Sequence, residues 1–160
     1  MIKLVFASLI ILGQSLDMPS GWRTIPVADT ITGRQSSVFV LTGTWVGGGP
    51  SFPYKDAIPS IDVHCSGGKY GFTKFHIDAL VDVNVSRVDY RVDDKAGTFY
   101  LTYRAGGGDK SVQLGKGDVQ KILKGKLVIL RVAAFNQGLL TAQFDMPASS
   151  QIVKDVCGLK

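Results

Sequence analysis

Histidine and cysteine are both scarce in this sequence, at two residues each in 160. The two cysteines stand 92 positions apart, which excludes the Cys-x2–4-Cys spacing of zinc ribbons and fingers. They also exclude the disulfide-dense scaffolds of small secreted domains. Long apolar runs are missing too. After Leu12 nothing approaches 18 uninterrupted apolar residues, so no membrane-spanning helix is expected in the mature chain. Charge is not concentrated either. The formal net charge is +5, which favours solubility and weak attraction to acidic surfaces. Lys and Arg are scattered rather than interleaved with aromatics, so nucleic acid is not an expected partner.

The signatures of common chemistries are absent as well. No Gly-x-Ser-x-Gly elbow presents a nucleophile. The run Gly47-Gly48-Gly49 leads into Pro50, with no Lys-Ser/Thr and no helix start, so it is a poor phosphate cradle. The acids sit at turns or on polar strand faces rather than as a pair in a cleft. The expectation is a protein without enzymatic activity and without a cofactor.

What is present begins with a leader. Met1-Ile2-Lys3 supplies one positive charge, residues 4–12 are almost wholly apolar, and Gly13 and Ser15 are small where a signal peptidase cuts. Residues 1–15 have the layout of a secretory signal peptide. Residues 16–34 read as an irregular lead-in, with Trp22 anchored at the core edge. Residues 35–160 read as one β-rich domain, expected in the periplasm or secreted.

Within that domain, Ser37 to Val46 alternates as one strand. Val38, Val40, Thr42, Thr44 and Val46 lie on one side and Phe39, Leu41 and Trp45 on the other, so cover is expected on both faces. Ile61 to Cys65 is the next strand. Ser66-Gly67-Gly68-Lys69 turns the chain and Tyr70 to Ile77 returns. Arg87 to Asp93 alternates with Val88, Tyr90 and Val92 inward and Asp89, Arg91 and Asp93 outward. A turn at Ala96-Gly97 and a return over Thr98 to Arg104 follow. Asp118 is placed as the N-cap of a short helix through Leu123. Lys126 to Phe135 and Leu139 to Phe144 form the last strand pair. Short strands with Gly-rich turns predict an antiparallel β-sandwich or barrel-like sheet.

Asp62-x-His64 and His76-x-Asp78 resemble a metal-ligating pattern, but register argues against one. A two-residue turn at Gly67-Gly68 pairs Cys65 with Tyr70. Without a bulge, His64 then faces Gly71, Asp62 faces Thr73, and His76 falls on the opposite face from His64. No metal site is expected.

After Pro147 the period changes. Ser149, Ile152, Val153, Val156 and Cys157 recur at helical spacing, with Gln151, Lys154 and Asp155 pointing away and Gly158 ending the helix. In an exported protein Cys157 is expected to pair with Cys65, tying this short C-terminal helix to the sheet. The alternative is two free buried thiols.

Several stretches are similar to the VasI-like proteins associated with type VI secretion loci and to related exported and prophage-encoded proteins. They are Trp22 with Asp29-Thr30-Ile31-Thr32-Gly33; residues 61–69 (IDVHCSGGK); residues 88–93 (VDYRVD); residues 123–132 (LKGKLVILRV); and Thr141 to Asp145 with the Val156-Cys157 end. Where that family opens its last helix with Gly-Leu, this chain has Met146-Pro147-Ala148. The resemblance implies an exported β-rich domain with a cysteine pair, and it supplies no catalytic residues. The function expected is that of an accessory or binding protein engaging another envelope or phage-encoded protein. Asp89, Arg91, Asp93 and Arg131 are the candidate contacts. An exported inhibitor or immunity-type protein that blocks a lytic enzyme is the alternative, with loops 47–57 or 105–110 as its contact.

Overall fold

A computed structural model of the chain describes residues 21–28, 35–102 and 108–160. The expected leader and loop residues 105–107 lie outside the described residues. The fold is mainly β, with two five-stranded antiparallel sheets. The first sheet contains β1 (Trp22–Ala28), β2 (Gln35–Thr42), β4 (Ser60–Ser66), β5 (Lys69–His76) and β8 (Ser111–Leu114), in that order. The second runs β3 (Thr44–Trp45), β10 (Gly138–Asp145), β9 (Leu127–Ala134), β6 (Arg87–Val92) and β7 (Lys95–Tyr100). Helices α1 (Lys116–Ile122) and α2 (Ser150–Val156) complete the domain.

The core is built from the inward faces of both sheets. Ile61, Val63, Phe75 and Leu114 of the first are buried, as are Val88, Val128, Leu130 and Phe144 of the second. Phe75 and Phe144 meet edge to face, with centroids 6.0 Å apart and planes at 82°. That geometry suits the aromatic quadrupole and links one sheet to the other.

The single strand expected over residues 37–46 is instead two strands in different sheets. β2 pairs with β1 and β4, whereas β3 pairs with β10. The crossing falls at Gly43, where a Cβ would collide with the Gln143 carbonyl and the Phe144 ring. Close approach of backbone to backbone lets the chain leave one sheet and enter the other. Residues 22–28, read as irregular, form β1, which pairs along its whole length with β2. Cover on both faces holds only for part of residues 37–46: Phe39, Val40 and Leu41 are buried and Val38 half-buried, whereas Thr42, Thr44 and Val46 are exposed.

The β6–β7 turn lies at Asp93-Asp94 rather than at Ala96-Gly97, which belong to β7. Asp93 takes a positive φ of 53°, which a short polar side chain tolerates in a two-residue hairpin. Asp118 is not the N-cap of α1. It stands at the third helical position and its carboxylate accepts the Gly115 amide at 3.1 Å. The C-terminal helix forms, but its buried stripe is Ser150, Val153 and Cys157, while Ile152 and Val156 are exposed. Cys157 is joined to Cys65 by a disulfide with Cα atoms 5.3 Å apart. The bond turns that side of the helix inward and leaves Ile152 and Val156 on the other.

Candidate functional site

The outward face of the second sheet carries the expected contact residues. β6 directs Val88, Tyr90 and Val92 inward and Asp89 and Arg91 outward, because strand side chains alternate. Asp89 lies directly across from Arg131 of β9 on one side and Thr98 of β7 on the other. Its Oδ2 accepts Arg131 Nη2 at 3.0 Å and Nε at 3.3 Å, and its Oδ1 accepts Thr98 Oγ1 at 3.3 Å. The carboxylate therefore holds the guanidinium in one orientation. At this exposure the pair is of little consequence for stability; its effect is to aim Arg131.

Arg91 is exposed two positions along β6, and Arg87 is exposed two positions the other way. Arg87 was not among the residues the sequence singled out. Its signal was present, since Arg87, Asp89 and Arg91 repeat at the strand period. Asp93 belongs to a different arrangement. Its Oδ1 accepts the Lys126 and Leu127 amides at 2.8 and 2.9 Å. These backbone hydrogen bonds hold its carboxyl below the usual carboxylate range. Asp93 thus fastens the β6–β7 turn to the start of β9 and stands apart from the Asp89–Arg131 group.

Two hollows flank that group. One, of about 260 Å³, is lined by Val83, Val85, Arg87, Ala133 and Leu139 together with Asp89 and Arg131. The other, of about 250 Å³, is lined by Val46, Arg91, Ala96 and Ile129 together with the same Asp89 and Arg131. The ion pair forms the ridge between them. Leu139 is 64% exposed.

The Asp/His pattern on the first sheet departs from its expected register. Cys65 pairs with Tyr70 as the turn requires, but His64 pairs with Phe72. A bulge at Gly71 restores parity and puts Asp62, His64 and His76 on one face. His76 Nε2 lies 3.3 Å from Asp62 Oδ2, and Ser60 Oγ donates to Asp62 Oδ1 at 2.8 Å. The serine bonds the carboxylate and not the imidazole, so this is not a nucleophile–base pair. His64 stacks on Phe72 at 4.0 Å, and burial lowers its pKa. Among the described residues no three His, Cys, Asp or Glu side chains come together as a metal site.

Loop 46–59 is braced. Trp45 Nε1 donates to the Ala57 carbonyl at 2.8 Å. The Ser51 amide and hydroxyl both donate to Gln137 Oε1 at 2.7 Å, tying the loop to the β9–β10 turn. From this frame Phe52 projects at 84% exposure. No family model, curated protein or solved structure matches the chain.

Proposed function

We propose that this is an exported, non-enzymatic accessory or binding protein, of the type VI secretion-associated kind, acting in the periplasm or outside the cell through contacts with another envelope or phage-encoded protein. The disulfide is compatible with an extracytoplasmic protein, and among the described residues no helix is long and apolar enough to cross a membrane. The observation that carries the reading is the ridge of Asp89 and Arg131 between two hollows, with Arg91 exposed beside it. An oriented arginine on a rigid sheet, next to apolar recesses, is the composition of an interface hot spot. Pull-down from envelope extract with the wild type and Arg91→Glu tests it: partner recovery falls with the variant, and unchanged recovery removes Arg91 from the contact.

A second reading is an inhibitor or immunity-type protein that blocks a lytic enzyme. It is favoured by Phe52 on its braced loop, because a preformed loop loses little entropy when it enters a cleft. A binding screen against cell-wall hydrolases with a Phe52→Ala control separates the two.

A further inference from the structure

The partner's chemistry follows from how charge and shape alternate along β6. Arg87, Asp89 and Arg91 project from the same face of one strand. Successive same-face positions are about 6.6 Å apart, so Arg87 and Arg91 stand roughly 13 Å from each other. Asp89 holds Arg131. Arg87 and Arg91 form no ion pair among the described residues, and Asp82 lines the first hollow together with Arg87. Arg87 lines one hollow, Arg91 lines the other, and the ridge lies between.

An extended peptide has the same repeat: side chains at alternate positions face one way, and every fourth residue is roughly 13 Å on. We infer that this face binds an extended acidic protein segment, with apolar side chains four positions apart filling the two hollows and the carboxylate midway between them, on the same side of the peptide, meeting Arg131 between Arg87 and Arg91. Arginine suits this role because its planar fork matches a carboxylate and its weak hydration eases burial. The apolar side chains of Val83, Val85, Ala133 and Leu139 in one hollow, and of Val46, Ala96 and Ile129 in the other, accept leucine-like groups. Arg87, the two hollows and the four-residue spacing are additions to the proposed protein-binding role, on which the inference rests.

The test uses the whole protein and three five-residue probes, followed by NMR titration. One probe is acidic with leucine at each end, one carries amides in place of the carboxylates, and one carries alanine in place of the leucines. The first is expected to bind at least about tenfold more tightly than either of the others, a difference of about 1.4 kcal/mol. Arg87→Glu and Arg91→Glu each weaken it by a similar factor, added salt weakens it further, and the charge-matched Lys154→Glu on α2 leaves it unchanged. Equal binding of the amide probe, or equal loss with Lys154→Glu, overturns the inference. So does Arg91-dependent binding to phosphatidylglycerol vesicles without any preference for the acidic probe, which assigns the face to lipid. If none of the probes binds while a protein is still captured in an Arg91-dependent way, the acidic segment is refuted and the protein-binding role stands.

Discussion

Trp22 Nε1 donates a 3.0 Å hydrogen bond to Ser150 Oγ, and the two residues are 128 positions apart and both buried. The bond joins the first residue of β1 to the first residue of α2. With the Cys65–Cys157 disulfide, it holds both ends of a seven-residue helix, a length that is marginal by itself. Ser150→Ala leaves the indole N–H without its acceptor in the core. The expected loss is about 1–3 kcal/mol, read as a lower urea midpoint with an unchanged slope.

The disulfide contributes on a larger scale. It closes a separation of 92 residues, for which the chain-entropy model gives about 4–5 kcal/mol. The paired replacement of Cys65 and Cys157 by alanine is expected to lower stability by an amount of that order. Thiol titration of the denatured, unreduced protein finds no reactive thiol if the bond is present in solution; two reactive thiols contradict it.

Gly43 is where the chain passes between sheets, and it has no room for a side chain. Gly43→Ala forces a methyl against the Gln143 carbonyl and the Phe144 ring. Overpacking of this kind costs about 1–3 kcal/mol. The thermal midpoint falls, and amide exchange rises first in β3 and its partner β10. A neutral outcome shows that the two sheets yield at this point.

Asp93 gives the protein a pH dependence of known sign. Its folded-state pKa lies below the ordinary carboxylate value because the Leu127 and Lys126 amides hydrogen-bond the charged form. Its contribution is therefore complete above the unfolded-state pKa of about 3.9, and is lost as pH falls through the depressed folded-state value. Asp93→Asn is expected to flatten that part of the acid limb of a stability–pH curve. The two curves should differ most above pH 4 and converge below it.

The alternation of Arg87 to Val92 was enough to place Asp89 and Arg91 outward, since neighbouring strands share the same period. The short last helix was also legible, because polarity and spacing both change after Pro147, and the pairing was expected from two cysteines behind an export-like leader. Two of the misreadings fall at glycines, one between β2 and β3 and one inside β5. At Gly43 alternation continues unbroken across the change of sheet, so the pattern carries no mark of it. At Gly71 one extra residue inverts the face of everything beyond it, and brings His76 to Asp62 rather than away from it. An isolated glycine in a strand pattern is the available signal for both. The Asp89–Arg131 contact was not legible, because nothing local to either residue says that β6 and β9 are neighbours.

The central claim is that a protein partner sits on the outer face of the second sheet. A photo-crosslinking side chain placed at position 91, with a matched control at position 154 on α2, reads this directly in cells that make the protein. The account predicts a discrete protein adduct from position 91 and none from position 154. An adduct from position 154 alone, or no adduct from either, contradicts it.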